Sequence, residues 1–97
     1  MIEVRQTQEF REWLHKLRDD RARAKIVDRL VRVEGGNFGD VEPVGDGVSE
    51  LRIDYGPGYR VYFTRRGRVV VVILCGGDKR TQTKDIKRAK RMARELE

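Results

Sequence analysis

With 97 residues, the chain has room for one small hydrophobic core and none for a second, cofactor-binding domain. Charged side chains make up 39% of it and the formal net charge is +6, so the surface is dominated by charge and the core must come from a few well-placed apolar segments. The single cysteine, Cys75, excludes an intrachain disulfide and offers no metal-ligand spacing, and no apolar run reaches transmembrane length.

Ile2 and Val4 alternate with Glu3 and Arg5, the pattern of a short strand with one buried face. A helix then starts at Thr7 or Gln8, with Phe10, Trp13, Leu14 and Leu17 on its apolar side. Trp13 belongs to that side as a core residue rather than a base-stacking one. Asp19-Asp20 offers a cap for a second helix, whose stripe is Ile26, Val27, Leu30, Val31 and Val33 and whose end is Gly35-Gly36-Asn37. Phe38 to Gly47 reads as a turn-rich connecting loop.

Three strands are expected at about 48–55, 59–65 and 68–75. Gly56-Pro57-Gly58 predicts a three-residue hairpin loop that sets Asp54 opposite Arg60 and Arg52 opposite Tyr62. Alternation assigns Leu51, Ile53, Tyr55, Tyr59, Val61 and Phe63 to one face and Arg52, Asp54, Arg60 and Tyr62 to the other. Arg66-Gly67 marks the second tight turn, and the run Val69 to Leu74 is apolar on both faces, as in a central strand covered on both sides. Gly76-Gly77 is expected to end the sheet. A last helix over about 81–96 carries the narrow stripe Ile86, Ala89, Ala93 and Leu96. The order β-α-α-β-β-β-α predicts a single α+β domain over residues 1–97, with helices packed on one side of a small antiparallel-rich sheet.

Charge is unevenly placed. Residues 1–47 hold 9 basic and 10 acidic side chains, residues 48–78 hold 5 and 3, and residues 79–97 hold 8 and 3. A positive C-terminal end of this kind suits a polyanion or an acidic protein segment, and a solvated helix face is the alternative. Arg52 and Arg60 on adjacent strands beside Tyr62 form a candidate cradle for a phosphate and a base, because guanidinium offers a planar donor fork and can stack. The alternative there is a cross-strand ion pair between Arg60 and Asp54.

The stretch from Glu50 to Gln82 carries Glu-Leu-Arg, then Gly58-Tyr59-Arg60-Val61-Tyr62-Phe63, then Cys75-Gly76-Gly77-Asp78-Lys79-Arg80-Thr81-Gln82. With the two N-terminal helices and the terminal helix, it resembles the RelE/ParE/HigB toxin superfamily, and within it the HigB-like branch of phage-derived addiction-module killer proteins. The resemblance implies a RelE-like fold and a ribosome-dependent mRNA endoribonuclease that needs no metal or cofactor, because the nucleophile is the ribose 2′-hydroxyl. It implies catalytic roles for Arg52, Arg60 and Lys79, and matches Glu42 to the catalytic glutamate of YoeB-like toxins. His15, the only histidine, is on the first helix and has no counterpart in the C-terminal histidine of other members. Tyr62, Arg80, Gln82, Lys84, Lys87, Arg88 and Arg91 are the expected RNA-binding residues, and Lys90 and Arg94 add to the same basic helix. The implied partners are the ribosome with its mRNA and a HigA-like helix-turn-helix antitoxin, in a cytoplasmic setting without membrane. Two other readings remain: a ParE-like gyrase poison and a non-catalytic basic nucleic-acid-binding module.

Overall fold

The computed structural model describes residues 1–96. Strand β1 (Glu3–Gln6) leads into helix α1 (Gln8–Lys16), and helix α2 (Asp20–Glu34) follows. Four strands come next, β2 (Val41–Gly45), β3 (Val48–Ile53), β4 (Tyr59–Arg66) and β5 (Val70–Asp78), and a 3-10 turn at Lys79–Thr81 opens into helix α3 (Gln82–Glu95). The sheet order is β1-β5-β4-β3-β2, with β1 and β5 parallel and every other pair antiparallel. No helix among the described residues is long and apolar enough to cross a membrane.

Local chemistry sets the helix ends where the sequence places them. The Thr7 hydroxyl accepts from the Phe10 amide, and the Asp19 carboxylate accepts from the amides of Arg21 and Ala22. The same bonds hold the Asp19 carboxyl below its usual range, the Ala22 amide contributing most. Gly35 closes α2, its amide donating to the carbonyls of Arg32 and Val33.

Two apolar layers cover the sheet, one on each face, so the helices do not share one side as expected. Phe10 of α1 and Ala22, Ile26, Leu30 and Val33 of α2 pack on Leu51, Ile53, Tyr59, Val61, Phe63, Val71 and Ile73. Ala89 of α3, with Ile86, Met92, Ala93 and Leu96, packs on Val48, Tyr62, Val72, Leu74 and Cys75. β5 is therefore buried from both sides, as its apolar run requires.

Three further expectations change. Residues 38–47 are not all loop: Val41–Gly45 pairs with β3 as a fifth strand, because Val41 and Val44 bury partly while Glu42 and Pro43 face out on the sheet edge. The β3–β4 hairpin turns earlier, with Ile53 opposite Tyr59 and Arg52 opposite Arg60. Tyr55 leaves the strand, its carbonyl accepting from the Gly58 amide and its hydroxyl reaching Asp19 at 3.1 Å. A slip of two residues preserves the side-chain faces, so the predicted sets survive although the partners do not. Gly76-Gly77 does not end the sheet either; β5 runs on to Asp78.

The two glycines serve close approach instead. A bulge at Leu74 shifts the pairing between Tyr62 and Phe63, after which Gly76 faces Trp13 and Gly77 faces α3. A Cβ at Gly76 would meet the Trp13 ring at 2.5 Å, and one at Gly77 would meet the Asp85 carboxylate at 1.8 Å. Gly76→Ala and Gly77→Ala should each lower the unfolding free energy by about 1–3 kcal/mol through overpacking. Gly35→Ala, where an added carbon would lie 3.5 Å from its nearest neighbour, should stay within about 0.5 kcal/mol of the parent. Urea denaturation followed by circular dichroism checks the contrast.

Candidate functional site

The α3 side of the sheet carries a polar row among its apolar residues. Glu50 and Arg52 point to this face from β3, and their cross-strand partners on β4 are Tyr62 and Arg60. Glu50 is 1% exposed and Arg60 8%, so both charges are held inside the structure. The Glu50 carboxylate accepts from Arg52 Nε at 3.2 Å and lies 3.9 Å from Arg60 Nε. The Gln82 side-chain amide, on the first turn of α3, donates to both Glu50 oxygens at 3.0 Å. Arg60 also gives one hydrogen bond to the Tyr59 carbonyl at 3.2 Å.

Several expected site residues meet here. Arg52 and Arg60 are direct partners, closer in register than the hairpin reading implied. Arg52 remains partly exposed, and its hydrogen bond to Glu50 raises the guanidinium's already high pKa further. Glu42 on β2 is opposite Glu50, which sets both on one face, and the Glu42 side chain is exposed. Lys79 lies across the hairpin: its amide donates to the Gly58 carbonyl at 3.1 Å and its methylenes come within 3.0 Å of where a Gly58 side chain would start. Arg80, Lys84 and Lys87 line a shallow exposed cleft with Lys79, Thr81, Gln82 and Thr83.

Other residues stand elsewhere. Tyr62 is completely buried under α3, so its ring offers no face to a base, and burial beside the Glu50 charge drives its hydroxyl pKa strongly upward. Arg88 is taken up in a clasp between helices, at 3.0 Å from Glu9 of α1 and 3.4 Å from Asp85 of α3. Arg91 is exposed on the outer flank of α3. Asp54 is exposed beyond the end of β3, and the ion pair that Arg60 makes is with Glu50 instead. His15 is exposed on α1, and Trp13 packs against Phe10 and Tyr59 in the core as expected. Cys75 is buried, which pushes its thiol up to about 11. Among the described residues, no group of three His, Cys, Asp or Glu side chains is disposed to hold a metal ion.

The motif Gly76 to Gln82 docks α3. The Asp78 carboxylate caps the 3-10 turn, accepting from the Arg80 amide at 2.8 Å and pairing with its guanidinium, which holds the Asp78 carboxyl below its usual range. Thr81 donates to Asp85, which fills the space over Gly77, and Gln82 reaches Glu50. Sequence reasoning did not single out Glu50. Its signal was available, since it sits two residues before Arg52 on the same strand and so shares its face. Chemically, two guanidiniums and an ammonium at one end of a sheet can bind a phosphate and stabilise charge gathering on it. Removing the central acid should be costly. Glu50→Ala leaves Arg60 buried without an anion and should cost about 3–5 kcal/mol, whereas Glu42→Ala on the exposed edge should change stability by less than about 0.5 kcal/mol. Chemical denaturation of the two variants separates them.

Residues 12–96 match the family described as "Phage derived protein Gp49-like (DUF891)". A Haemophilus influenzae protein that bears the name "Uncharacterized protein" is 55% identical over 95 residues, which is 98% of this chain and 96% of that protein. No solved structure matches the chain. The match to the family covers all of the polar row, the glycine pair and α3, and the chain belongs to the phage-derived Gp49-like family.

Proposed function

We propose that the protein is the toxin of a type II toxin–antitoxin module, with a RelE/HigB-like fold, and that it acts as a ribosome-dependent, metal-independent mRNA endoribonuclease. The Gp49-like family is associated with toxin–antitoxin systems, which supports the module. One observation carries the nuclease reading: Arg52 and Arg60 are cross-strand partners on one face, with Lys79 at the same hairpin end.

In this reading the ribose 2′-hydroxyl attacks the adjacent phosphorus, and its proton passes to Glu42, the exposed carboxylate on that face. Negative charge gathers on the non-bridging oxygens, where Arg52, Arg60 and Lys79 oppose it. The bond to the 5′-oxygen then breaks, leaving a 2′,3′-cyclic phosphate and a 5′-hydroxyl end after that oxygen takes a proton from water. Arranging nucleophile and phosphate in line is the larger part of the task, and the ribosomal A site supplies the arranged RNA. Arg80, Lys84, Lys87 and Arg91 add sequence-independent contacts to RNA phosphates. A small helix-turn-helix antitoxin of the HigA kind would mask this surface.

Controlled expression of the wild type and of Arg60→Ala in bacteria, with mapping of 5′ ends in cellular messages, tests the assignment. New ends inside translated reading frames, reduced about 100-fold or more by the substitution, are the expected result. Growth arrest with intact messages and damaged DNA would instead identify a gyrase poison. Unimpaired growth with RNA binding alone would identify a non-catalytic binding module.

A further inference from the structure

The donors that a phosphate needs at this site already have an anion among them. Glu50 is held inside the sheet–helix interface at 1% exposure, and its two oxygens collect Arg52 Nε and both contacts from the Gln82 amide. Arg60, with 10% of its side chain exposed, faces the same carboxylate at 3.9 Å. Yet the acid does not use every donor around it. Arg60 Nε and the Tyr62 hydroxyl are both buried without a hydrogen-bond partner in the protein. A site with two guanidiniums, a side-chain amide and a phenol around one carboxylate has more donors than that carboxylate satisfies. Surplus buried donors are expensive unless another acceptor meets them.

A phosphodiester presents two non-bridging oxygens and one negative charge, much as a carboxylate does, and both suit the guanidinium fork. We propose that Glu50 is the positioning residue of the anion site: it holds Arg52, Arg60 and Gln82 toward one point and yields those donors to an RNA phosphodiester. The inference rests on the anion-binding part of the nuclease reading, not on cleavage. Gln82 is held by Glu50 until the phosphodiester arrives, and the accessible edge of the fork is Arg52, the more exposed of the two arginines.

Two properties separate this role from simple packing. A residue that competes with the ligand for its donors weakens binding, so its neutralisation strengthens binding; loss of a negative charge alone also strengthens it, and dependence on Arg60 separates the two. The gain must also depend on Arg60. The probe is a fluorescent single-stranded RNA hexamer with a methoxy group at every 2′ position, which cannot be cleaved, titrated by anisotropy against the full chain. Glu50→Gln should tighten binding about tenfold, Glu50→Asp should stay near the wild type, and Glu50→Gln combined with Arg60→Ala should lose the gain. Equal or weaker binding by a folded Glu50→Gln protein, a gain that persists without Arg60, or no binding of the hexamer by any variant would overturn the proposal. Nuclear magnetic resonance of the wild type serves if Glu50→Gln does not fold. The hexamer should then shift the Gln82 side-chain amide and the Arg52 and Arg60 Nε resonances. Shifts confined to the outer basic residues of α3 would overturn it. Failure of the nuclease reading would show itself separately, as intact messages in cells alongside an unchanged anisotropy series.

Discussion

The close seating of both helical layers on the sheet depends on β5 carrying no side chains at positions 76 and 77. Adjacent residues of a strand face opposite ways, so the glycine pair clears one place on each face. Trp13 of α1 takes the first and Asp85 of α3 takes the second. Arg88 then ties the two layers together, bonded to Glu9 on one side and to Asp85 on the other. The position of Gln82 over Glu50, and so the whole polar row, follows from how closely α3 can sit.

That row is an unusual use of a sheet face. A buried charge is tolerated only where partners replace the water it has lost, and Glu50 has three such partners from two strands and a helix. The rest of the face is apolar, built on Val48, Val72, Leu74 and Cys75 under α3. Outside it, the basic residues of α3 stay largely in solvent, where they contribute a long-range field rather than fixed contacts. The site thus combines a rigid inner fork with a diffuse outer charge.

Much of this was legible in the sequence because two periodicities are clean. The stripe from Phe10 to Leu17 and the stripe of α2 mark helices, and alternation from Leu51 to Phe63 separates the core face from the arginine face. What misled was local. Val41-Glu42-Pro43-Val44 has only two apolar residues and a proline, so an edge strand looked like loop; proline is acceptable there because it sits on the outermost strand. Gly56-Pro57-Gly58 suggested a three-residue turn, but Tyr55 leaves the strand and finds its partner in Asp19, which is remote in sequence. Glycines at 76 and 77 looked like punctuation because nothing in a local window shows that Trp13 and Asp85 will arrive there. Arg88 and Tyr62 were read as ligand contacts for the same reason: their partners Glu9 and Glu50 become neighbours only in three dimensions.

The pairing of β1 with β5 bears on how the domain forms. Glu3 to Gln6 find their hydrogen-bonding partners only at Val70 to Ile73, so the first strand made is completed by the last. A loop of that size must close before the contact repays its entropy, which places this parallel pair among the slower steps of folding. The β2–β3–β4 meander pairs only sequence neighbours, so it can form before β1 meets β5 and before α3 docks. The arginine fork would then be exposed in a partly built sheet, without Gln82 to steady it. In this topology the polar row is therefore completed only when the C-terminal helix docks.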